Sequence, residues 1–330
     1  MTIPARAHFC WIGTRLPWAY AFAVLSAAER SELPEIVVHH TDSLDEDAAL
    51  AALRQTPHVR LSRIDPIAYL LQAGQKLGAG DGLTVSYRRL TNPAARIDIL
   101  RAAILYLEGG MYLDMDTVTT SSLLPLLNTR QFVGCEFIIW PHFARTSRSP
   151  ALWARTLTLD LTRKMMRRTP HGWRMFRLVE KFCYRGINNA VMGAEADSPL
   201  FEDYLRAMLR VPPECQPQPY ALGPDLLQEV VGRYARDDLT IQEPHVFYPL
   251  PPEISEHWFR IRRRVRLDAV LSAETRVVHW YASVGTQSRV ALIDPNYVRK
   301  HRESQLYSAL VAWSCIRNFP MSGESGPTKL

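Results

Sequence analysis

A short apolar strand that ends in two carboxylates constrains this chain more than any other feature. Residues 112–117 read YLDMDT, which places Asp114 two positions before Asp116. Side chains two apart in a strand point to the same face, so both carboxylates can reach one ligand where the strand ends. Hard cations such as Mg²⁺ and Mn²⁺ prefer oxygen ligands and often share them with a substrate diphosphate. The motif therefore predicts a metal and nucleotide site at this strand end.

The segment before this strand has the pattern of a helix that two glycines end. Over residues 94–108, apolar side chains recur at helical spacing and form one buried stripe, made of Ile97, Leu100, Ile104 and Leu107. Gly109 and Gly110 follow, and glycine allows the chain to leave a helix and turn tightly. We expect helix, turn and strand in direct succession.

Two charged residues share a surface of the predicted helix. Asp98 and Arg101 are three positions apart, so they can reach a common ligand. A carboxylate that accepts hydroxyl hydrogens beside a guanidinium suits a sugar nucleotide. An ordinary intrahelical ion pair explains the spacing equally well, because such pairs are common and weakly stabilising. The residues alone leave both interpretations open.

Strands and helices alternate through the first third of the chain. Strands are predicted at 7–12, 35–40, 59–61 and 111–113, with an amphipathic helix at 18–30 after the first. This alternation indicates an α/β fold with a mostly parallel central sheet flanked by helices. Nucleotides bind at the carboxyl ends of the strands in such sheets, where Asp114 and Asp116 would lie.

The helix, the glycine pair and the strand together resemble glycosyltransferases with a DXD-containing sugar-binding region. These families include yeast initiating mannosyltransferases, bacterial capsular sugar transferases and, more remotely, clostridial toxin glucosyltransferase domains. They share the pattern D-[IL]-L-R, a stretch of helix, then G-G-x-Y-L-D-x-D, and this chain has it from Asp98 to Asp116. The resemblance implies a GT-A-type, Rossmann-like fold with helical insertions.

Two shorter segments resemble the beginning and the end of the same family. HFCWIG, around Trp11, resembles the opening strand, which implies that this tryptophan lies near the nucleotide base. VVHW, around His279, resembles the C-terminal element whose histidine approaches the metal. A lone histidine beside apolar residues is more often a core or loop residue, so the ligand role of His279 depends on the resemblance. Its imidazole would complete a mixed oxygen and nitrogen set with Asp114 and Asp116 that suits Mn²⁺.

Further binding residues are implied along the second half of the chain. INNAVMG resembles the family strand beside the donor sugar, which makes Asn188 and Asn189 candidates, although buried turn asparagines are a competing explanation. A Gly-Pro pair at 223–224 opens a predicted helix with Asp225 in its first turn. Family members often have a G-P motif near the acceptor pocket, so Asp225 is a further candidate. Residues 146–185 match no part of the family pattern.

The resemblance also implies the reaction. A hexose would move from a nucleotide sugar, with a UDP-sugar favoured and GDP-mannose the alternative, to a hydroxyl acceptor with retained configuration and no catalytic base. Mn²⁺ or Mg²⁺ held by Asp116 and His279 would stabilise the leaving diphosphate. Arg101 would add positive charge or fix the donor, Asp98 would bind sugar hydroxyls, and Asp114 would contact ribose or sugar. Asp116, Arg101 and Asp98 are therefore the expected catalytic residues.

Two other classes of protein are compatible with parts of the sequence. DMDTV, from Asp114 onward, fits the D-x-D-x-[TV] motif of haloacid-dehalogenase-like phosphatases, in which Asp114 would accept the phosphoryl group. That assignment requires the motif on the first strand of the core, whereas here 113 residues precede it. A protein that binds glycans or lipid surfaces through a degenerate site is the non-enzymatic alternative.

The charge of the chain is positive and concentrated. The formal net charge is +6 and the sequence pI about 9.1. Residues 163–185 and 260–266 are rich in arginine, and the first stretch interleaves basic with apolar side chains as interfacial helices do. An anionic membrane surface, an acidic glycan and a solvated basic face are all compatible with this pattern. Nucleic acid is not expected as a partner, because no recognised binding module accompanies the charge.

Length and cysteine usage set the remaining expectations. The 330 residues, 47% of them hydrophobic, favour one elaborated domain over 1–318, with a disordered tail at 319–330. Its nucleotide-sugar half would span about 1–120, its acceptor half and helical insertion about 121–290, and its closing helix 295–317.

Five dispersed cysteines without C-x-x-C spacing favour a reducing compartment over a disulfide framework or a zinc site. The early apolar run lacks a positively charged start, so no signal peptide is predicted. We expect a cytoplasmic protein that meets glycan, lipid-linked or small-molecule acceptors, on the inner face of the membrane where the acceptor is lipid-linked.

Overall fold

Nine strands form two sheets in the computed structural model, which describes residues 2–284 and 287–315. They are β1 (Arg6–Trp11), β2 (Glu35–His40), β3 (Val59–Arg63), β4 (Gly110–Leu113), β5 (Thr117–Thr119), β6 (Gln131–Ile138), β7 (Tyr184–Ala194), β8 (Leu239–Gln242) and β9 (Val277–His279). Seven of them form a central sheet in the order β3-β2-β1-β4-β7-β6-β8, and β5 pairs with β9 in a second, two-stranded sheet.

Six of the seven central strands run in the same direction. β3, β2, β1 and β4 are parallel neighbours, and β8 is parallel to β6. β7 is antiparallel to both β4 and β6. The sheet is therefore mostly parallel, and the α/β class predicted from the sequence is confirmed.

Helices cover both faces of this sheet. They are α1 (Trp18–Arg30), α2 (Ala48–Gln55), α3 (Pro66–Lys76), α4 (Gly82–Arg89), α5 (Pro93–Glu108), α6 (His142–Thr146), α7 (Pro150–Arg168), α8 (Gly172–Val179), α9 (Pro199–Arg210), α10 (Pro224–Arg233), α11 (Pro244–Phe247), α12 (Gln287–Val290), α13 (Pro295–His301) and α14 (Leu306–Ser314). One buried apolar cluster includes α1 and α14, and the other includes α3, α5, α9 and α10. Two hydrophobic layers thus enclose the sheet.

The turn from α5 into β4 fixes where the acidic strand end lies. Asn92 caps α5 by accepting a hydrogen bond from the amide of Ala94 at 3.0 Å. Gly109 and Gly110 then adopt positive φ angles of 64° and 98°. A Cβ at Gly110 would lie 2.7 Å from the side chain of Arg6, so a larger residue would collide with β1. The predicted succession of helix, glycine turn and strand is present.

One predicted element is wrong. Residues 295–317 were expected to form a single closing helix, but the chain forms α13 and α14 with a break at 302–305. The break buries Gln305, whose amide donates to the carbonyl of Phe259 at 3.1 Å and to the hydroxyl of Tyr297 at 2.8 Å. Helical spacing could not reveal this tertiary contact. Residues 316–317 and the predicted tail at 319–330 lie outside the described residues.

Among the helices of the described ranges, none combines the length and the hydropathy that a bilayer span requires.

Candidate active site

The two-stranded sheet brings a distant histidine to the acidic motif. β5 begins directly after Asp116, and β9 pairs with it so that His279 lies opposite Thr117. The amide of Trp280 donates to the carbonyl of Asp116 at 3.0 Å. On the other side, the amide of Asp114 donates to the carbonyl of Ala190 in β7 at 2.8 Å. Backbone pairing therefore holds the DMD turn between the two sheets.

Asp114, Asp116 and His279 form one cluster. Their ligand atoms all lie within 4.8 Å of one another. His279 Nε2 lies 3.0 Å from Asp116 Oδ1, and the amide of Ala282 donates to Asp116 Oδ2 at 2.7 Å. Tyr281 lies between His279 and Ala282 in the chain and has a positive φ of 57°, which is uncommon for a bulky residue. This conformation presents the Ala282 amide to the carboxylate of Asp116.

The donor set fits a hard divalent cation. Two carboxylates and one imidazole offer the oxygen and nitrogen atoms that Mn²⁺ and Mg²⁺ accept. Adjacent ligands of an ion bound at about 2.1 Å are roughly 3 Å apart, which is the separation of His279 Nε2 from Asp116 Oδ1. The structure thus brings together the three residues that the sequence analysis singled out for the metal. Their role as ligands stays a prediction.

Asp116 and His279 stabilise opposite charges on each other. Burial alone would raise the pKa of Asp116, but the adjacent His279 lowers it below its ordinary value. Burial alone would lower the pKa of His279, but Asp116 raises it above 6.5. The carboxylate is therefore ionised, as a ligand of a cation must be, and His279 must release its proton to bind a cation, because a ligating imidazole is neutral.

Arg101 connects the acidic motif to α5. Its Nη2 lies 3.0 Å from Asp114 Oδ1, and its Nη1 donates to Asp114 Oδ2 at 3.1 Å. The contact to Asp98 on the same helix is longer, 3.4 Å. Nη1 also donates to the carbonyl of Asn189 at 2.7 Å. Arg101 is only 5% exposed, so it is a buried bridge between three elements and not an ordinary surface ion pair.

Asp98 lies next to the turn that opens α10. Asn189 Nδ2 donates to Asp98 Oδ1 at 2.8 Å, and a Cβ at Gly223 would lie 2.8 Å from Asp98 Oδ2. Burial raises the pKa of Asp98 to about 6, although Arg101 opposes the shift. Asp225 lies two residues further, where it forms an ion pair with Arg145 at 3.0 Å. Asp225 is therefore at the rim and outside the carboxylate cluster.

The two candidate asparagines have separate partners. Consecutive residues of a strand face opposite sides, so Asn189 reaches Asp98 whereas Asn188 does not. Asn188 Nδ2 donates to Glu136 Oε1 at 2.8 Å. The hydroxyl of Tyr281 donates to Glu136 Oε2 at 2.6 Å. Glu136 is thus a buried carboxylate that fixes the loop carrying the Ala282 amide.

Aromatic rings extend from the end of β1 toward the cluster. The ring centroids of Trp11 and Tyr20 are 5.0 Å apart, and those of Tyr20 and Trp280 are 6.2 Å apart and stacked. Burial and the nearby carboxylate of Asp116 raise the pKa of Tyr20 to about 12. Trp11, Tyr20 and Trp280 therefore form one aromatic wall beside the cluster, in which the ring of Trp11 packs on Tyr20.

Sequence reasoning missed three residues around this site: Tyr20, Glu136 and Tyr281. Each carries a detectable signal, because Tyr20 is the one hydroxyl-bearing residue of the apolar run 18–25 and Glu136 is the single carboxylate of the strand QFVGCEFI. Tyr281 follows His279 by two residues. None of these signals indicates which partner the side chain meets.

Two surface grooves lie elsewhere. One, of about 380 Å³, runs between α9 and α10 and is lined by residues such as Asp203, Arg210 and Arg233. The other, of about 480 Å³, lies beside β6 and α10 near Cys135 and Arg185. Their linings contain none of the carboxylates that converge with His279. The chemistry of the chain therefore points to the carboxylate cluster and not to either groove.

Comparison with known protein families identifies the region that holds the motif. Residues 38–133 match the model of the family described as "Glycosyltransferase sugar-binding region containing DXD motif". This span runs from β2 into β6 and includes Asp98, Arg101, Asp114 and Asp116. It confirms the resemblance inferred from the residue pattern. A search of curated proteins finds no match.

Solved structures with a similar arrangement include several glycosyltransferases. The PaToxG glycosyltransferase is 15% identical, with a TM-score of 0.42 over 69% of this chain and 68% of that chain. Mouse xyloside xylosyltransferase 1, in its apo form, is 11% identical, with a TM-score of 0.45 over 83% and 96%. The UDP-bound glycosyltransferase domain of the YGT toxin is 10% identical, with a TM-score of 0.41 over 73% and 80%.

Proposed function

We propose that this chain, whose residues 38–133 match the DXD-motif glycosyltransferases, moves a hexose from a nucleotide sugar to a hydroxyl acceptor with a divalent cation. The observation that carries the proposal is the convergence of Asp114, Asp116 and His279 within 4.8 Å. Asp114 and Asp116 follow one strand, and His279 ends another strand 163 positions after Asp116. Such convergence is what a metal-bound diphosphate requires.

Asp116 and His279 would hold Mn²⁺ or Mg²⁺. When bound, the cation supplies Lewis-acid stabilisation to the leaving nucleoside diphosphate. The Ala282 amide and the Tyr281 turn keep Asp116 aimed at this position. Preorganised charge of this kind acts where negative charge develops, without a reorganisation cost at the moment of reaction.

Arg101 orders the acidic side of the donor site. Its guanidinium contacts both oxygens of Asp114, and the side chain of Asp114 is still 21% exposed. Asp114 can therefore still accept hydrogen bonds from ribose or donor-sugar hydroxyls. Asp98, oriented by Asn189, would accept further sugar hydroxyls. We assign catalysis to Asp116, Arg101 and Asp98, because these side chains define charge and geometry at the bond that breaks.

The nucleotide base would lie on Trp11. Its indole closes the wall that Tyr20 and Trp280 continue, and a flat ring of this kind can stack a base. We favour a UDP-sugar as the donor, with GDP-mannose as the alternative. Titration with UDP and GDP in the presence of Mn²⁺ distinguishes the two directly.

Neither Glu136 nor Asp114 is free to act as a general base. Both oxygens of Glu136 accept hydrogen bonds, from Asn188 and from Tyr281. Both oxygens of Asp114 face Arg101. We propose retention of configuration, as the family resemblance implies, by a displacement in which the acceptor hydroxyl attacks the anomeric carbon beside the departing diphosphate, whose oxygen takes the hydroxyl proton. The acceptor would be a surface polysaccharide or glycolipid precursor, modified in the cytoplasm.

The phosphatase alternative is less compatible with this geometry. Its motif must follow the first strand of the core, whereas Asp114 follows β4. Its nucleophile must be free to attack phosphorus, whereas Asp114 is in bidentate contact with Arg101.

Release of nucleoside diphosphate from sugar nucleotides, measured with Mn²⁺ for the wild type and for Asp116→Asn, tests the proposed transferase activity. Phosphate release from simple phosphomonoesters by the wild-type protein would favour the phosphatase, and nucleotide binding without any turnover would favour a binding protein.

A further inference from the structure

Helix α7 exposes an apolar stripe to solvent. Large side chains at intervals of four residues are exposed by 39%, 51%, 62% and 65%; they are Trp153, Leu157, Leu161 and Met165. Residues four apart lie on the same side of a helix, so these four form a continuous ridge. Single exposed apolar residues are ordinary, but a contiguous ridge indicates an interaction site.

The apolar surface continues beyond α7. Met175 and Leu178 in α8 are 52% and 73% exposed, and Phe182 after it is 54% exposed. Arg155 on α7 donates to the carbonyl of Phe182 at 2.9 Å, so the end of this segment lies against α7. We call the surface formed by residues 153–182 the docking face.

The docking face is strongly basic. Exposed or half-buried cations accompany the apolar side chains; they are Arg155, Arg163, Lys164, Arg167, Arg168, Arg174, Arg177 and Lys181. The carboxylates within residues 153–182 are Asp160 and Glu180, and from outside this range Glu253 and Glu256 form ion pairs with Arg163 and Arg167. Asp160 is buried and lies 2.7 Å from Lys164 and 2.5 Å from Arg163, so it adds little negative charge to the surface.

The second arginine-rich stretch packs against the same face. Arg260 donates to the carbonyls of Arg167 and Arg168, and Arg262 Nε donates to the carbonyl of Pro170 at 3.2 Å. These guanidiniums satisfy carbonyls at the C-terminal end of α7. Beside them, Arg263 and Arg264 are exposed and Ile261 is 60% exposed. The two basic stretches recognised in the sequence are therefore neighbours on one surface.

We propose that the docking face lies on an anionic lipid bilayer, with its apolar side chains in the interface and its cations at the headgroups. Basic side chains attract the anionic headgroups, and the apolar ridge can enter the boundary between headgroups and acyl chains. A purely solvated basic face does not require the apolar ridge. A second copy of this chain on the same surface would bring like charges together, which disfavours association.

The docking face reaches the rim of the active site through α6. Arg145 in α6, just before α7, forms the ion pair with Asp225 at 3.0 Å. Asp225 follows Gly223, which lies against Asp98. A bilayer on the docking face would thus meet the acceptor side of the site, which favours a lipid-linked acceptor. That last step rests on the proposed function, whereas lipid binding itself does not require sugar transfer.

Vesicle flotation without any sugar nucleotide tests the docking face. Wild-type protein should float with vesicles of phosphatidylcholine and phosphatidylglycerol, and bind pure phosphatidylcholine at least about tenfold more weakly, because each basic side chain near the surface adds attraction. Leu157→Ser with Leu161→Ser, and separately Arg168→Glu with Lys181→Glu, should each weaken binding to the mixed vesicles by about tenfold or more. All four side chains are exposed, so folding is expected to be retained.

Matched controls keep the result interpretable. Leu292→Ser removes another exposed leucine, and Arg88→Glu with Arg89→Glu reverses two exposed charges on α4; both should bind as the wild type does. Equal binding to both kinds of vesicle, or equal losses in the control variants, would overturn the proposal. A dimer that the Leu157 and Leu161 substitutions dissociate, with vesicle binding unchanged, would assign the face to a second copy. Donor turnover in solution is assayed separately, so failure of flotation and failure of the proposed function are distinguishable.

Discussion

Arg101 holds Asp114 through two contacts of 3.0 and 3.1 Å, although the same guanidinium lies 3.4 Å from Asp98, its neighbour on α5. The spacing in the sequence pointed to the pair with Asp98. The structure makes Arg101 the connection between a helix and the metal motif, because a bidentate fork orients a carboxylate more strictly than a single contact.

Arg101→Lys should show what this fork contributes. Lysine keeps the charge but cannot make the planar, bidentate contact. We expect kcat to fall by about tenfold or more and the free energy of unfolding to fall by about 1–3 kcal/mol. Arg89→Lys, at an exposed position of α4, is the control. Steady-state kinetics with unchanged kcat in Arg101→Lys would reduce the contact to a structural ion pair.

Gly223→Ala, at the N-cap of α10, and Gly232→Ala, within α10, form a matched pair. A Cβ at Gly223 would lie 2.8 Å from Asp98 Oδ2, whereas a Cβ at Gly232 meets nothing within 4 Å. Gly223→Ala should raise the KM for the sugar nucleotide severalfold, because Asp98 must move. Gly232→Ala should leave KM unchanged and raise stability by up to about 1 kcal/mol. If both variants have the wild-type KM, Asp98 does not contact the donor.

Glu136→Gln tests the support behind Asp116. The substitution keeps the size of the side chain but removes the charge that accepts from Asn188 and Tyr281. Partners that orient metal ligands typically contribute about 10–100-fold in metal affinity, and we expect a loss in this range for Mn²⁺. Glu195→Gln, on a partly exposed surface carboxylate, is the control. Wild-type Mn²⁺ affinity in Glu136→Gln would show that the Tyr281 turn holds its conformation unaided.

The buried pair His8 and His39 makes stability dependent on pH. His8 Nε2 lies 2.9 Å from the carbonyl of Gly109, which can only accept, so Nδ1 of His8 accepts from His39 Nε2 at 2.9 Å. Burial lowers the pKa of His8 to about 4, although Glu108 opposes the shift. Burial, together with the neighbouring His8, lowers the pKa of His39 to about 3.

Both histidines must therefore be neutral in the folded protein. Their folded pKa lies below the unfolded value, so the unfolded chain binds more protons as the pH falls from 6.5 toward 4. We expect the free energy of unfolding to fall through this window, by about 3 kcal/mol for His8 alone. His279 acts in the opposite direction, since its raised pKa adds stability below pH 6.5.

His39→Asn separates these contributions. The gap in unfolding free energy between wild type and His39→Asn, from urea titrations, should shrink as the pH falls from 7 to 4.5. His171→Gln, an exposed histidine, should show a constant gap. A gap that stays constant for His39→Asn as well would mean that the buried pair is not the acid-sensitive element.

The sequence determined the local elements of this fold better than its long-range contacts. Strand β2 and helix α1 have the predicted boundaries, because side-chain periodicity and flanking residues act locally. Asp114 and Asp116 were identifiable because two-residue spacing at a strand end has a direct geometric meaning.

Long-range partners depend on strand order, which periodicity does not reveal. The reversed direction of β7 places Asn189 against Asp98. The contact of Glu136 with Tyr281 joins residues 145 positions apart. The break before Gln305 allows its side-chain amide to donate a hydrogen bond to the carbonyl of Phe259, 46 positions earlier. Such contacts exist only after the sheets are assembled, so no local pattern predicts them.

The central claim is that Asp116 and His279 hold a divalent cation against the diphosphate of a sugar nucleotide. Calorimetric titration of UDP, and in parallel GDP, into protein with and without Mn²⁺ tests it most directly, with Asp116→Asn as the variant of matched shape. We predict metal-dependent nucleotide binding that Asp116→Asn weakens by about tenfold or more, since hydrogen bonds and contacts to charged groups dominate such sites. Equal affinity in the variant, or nucleotide binding indifferent to Mn²⁺, would contradict the claim.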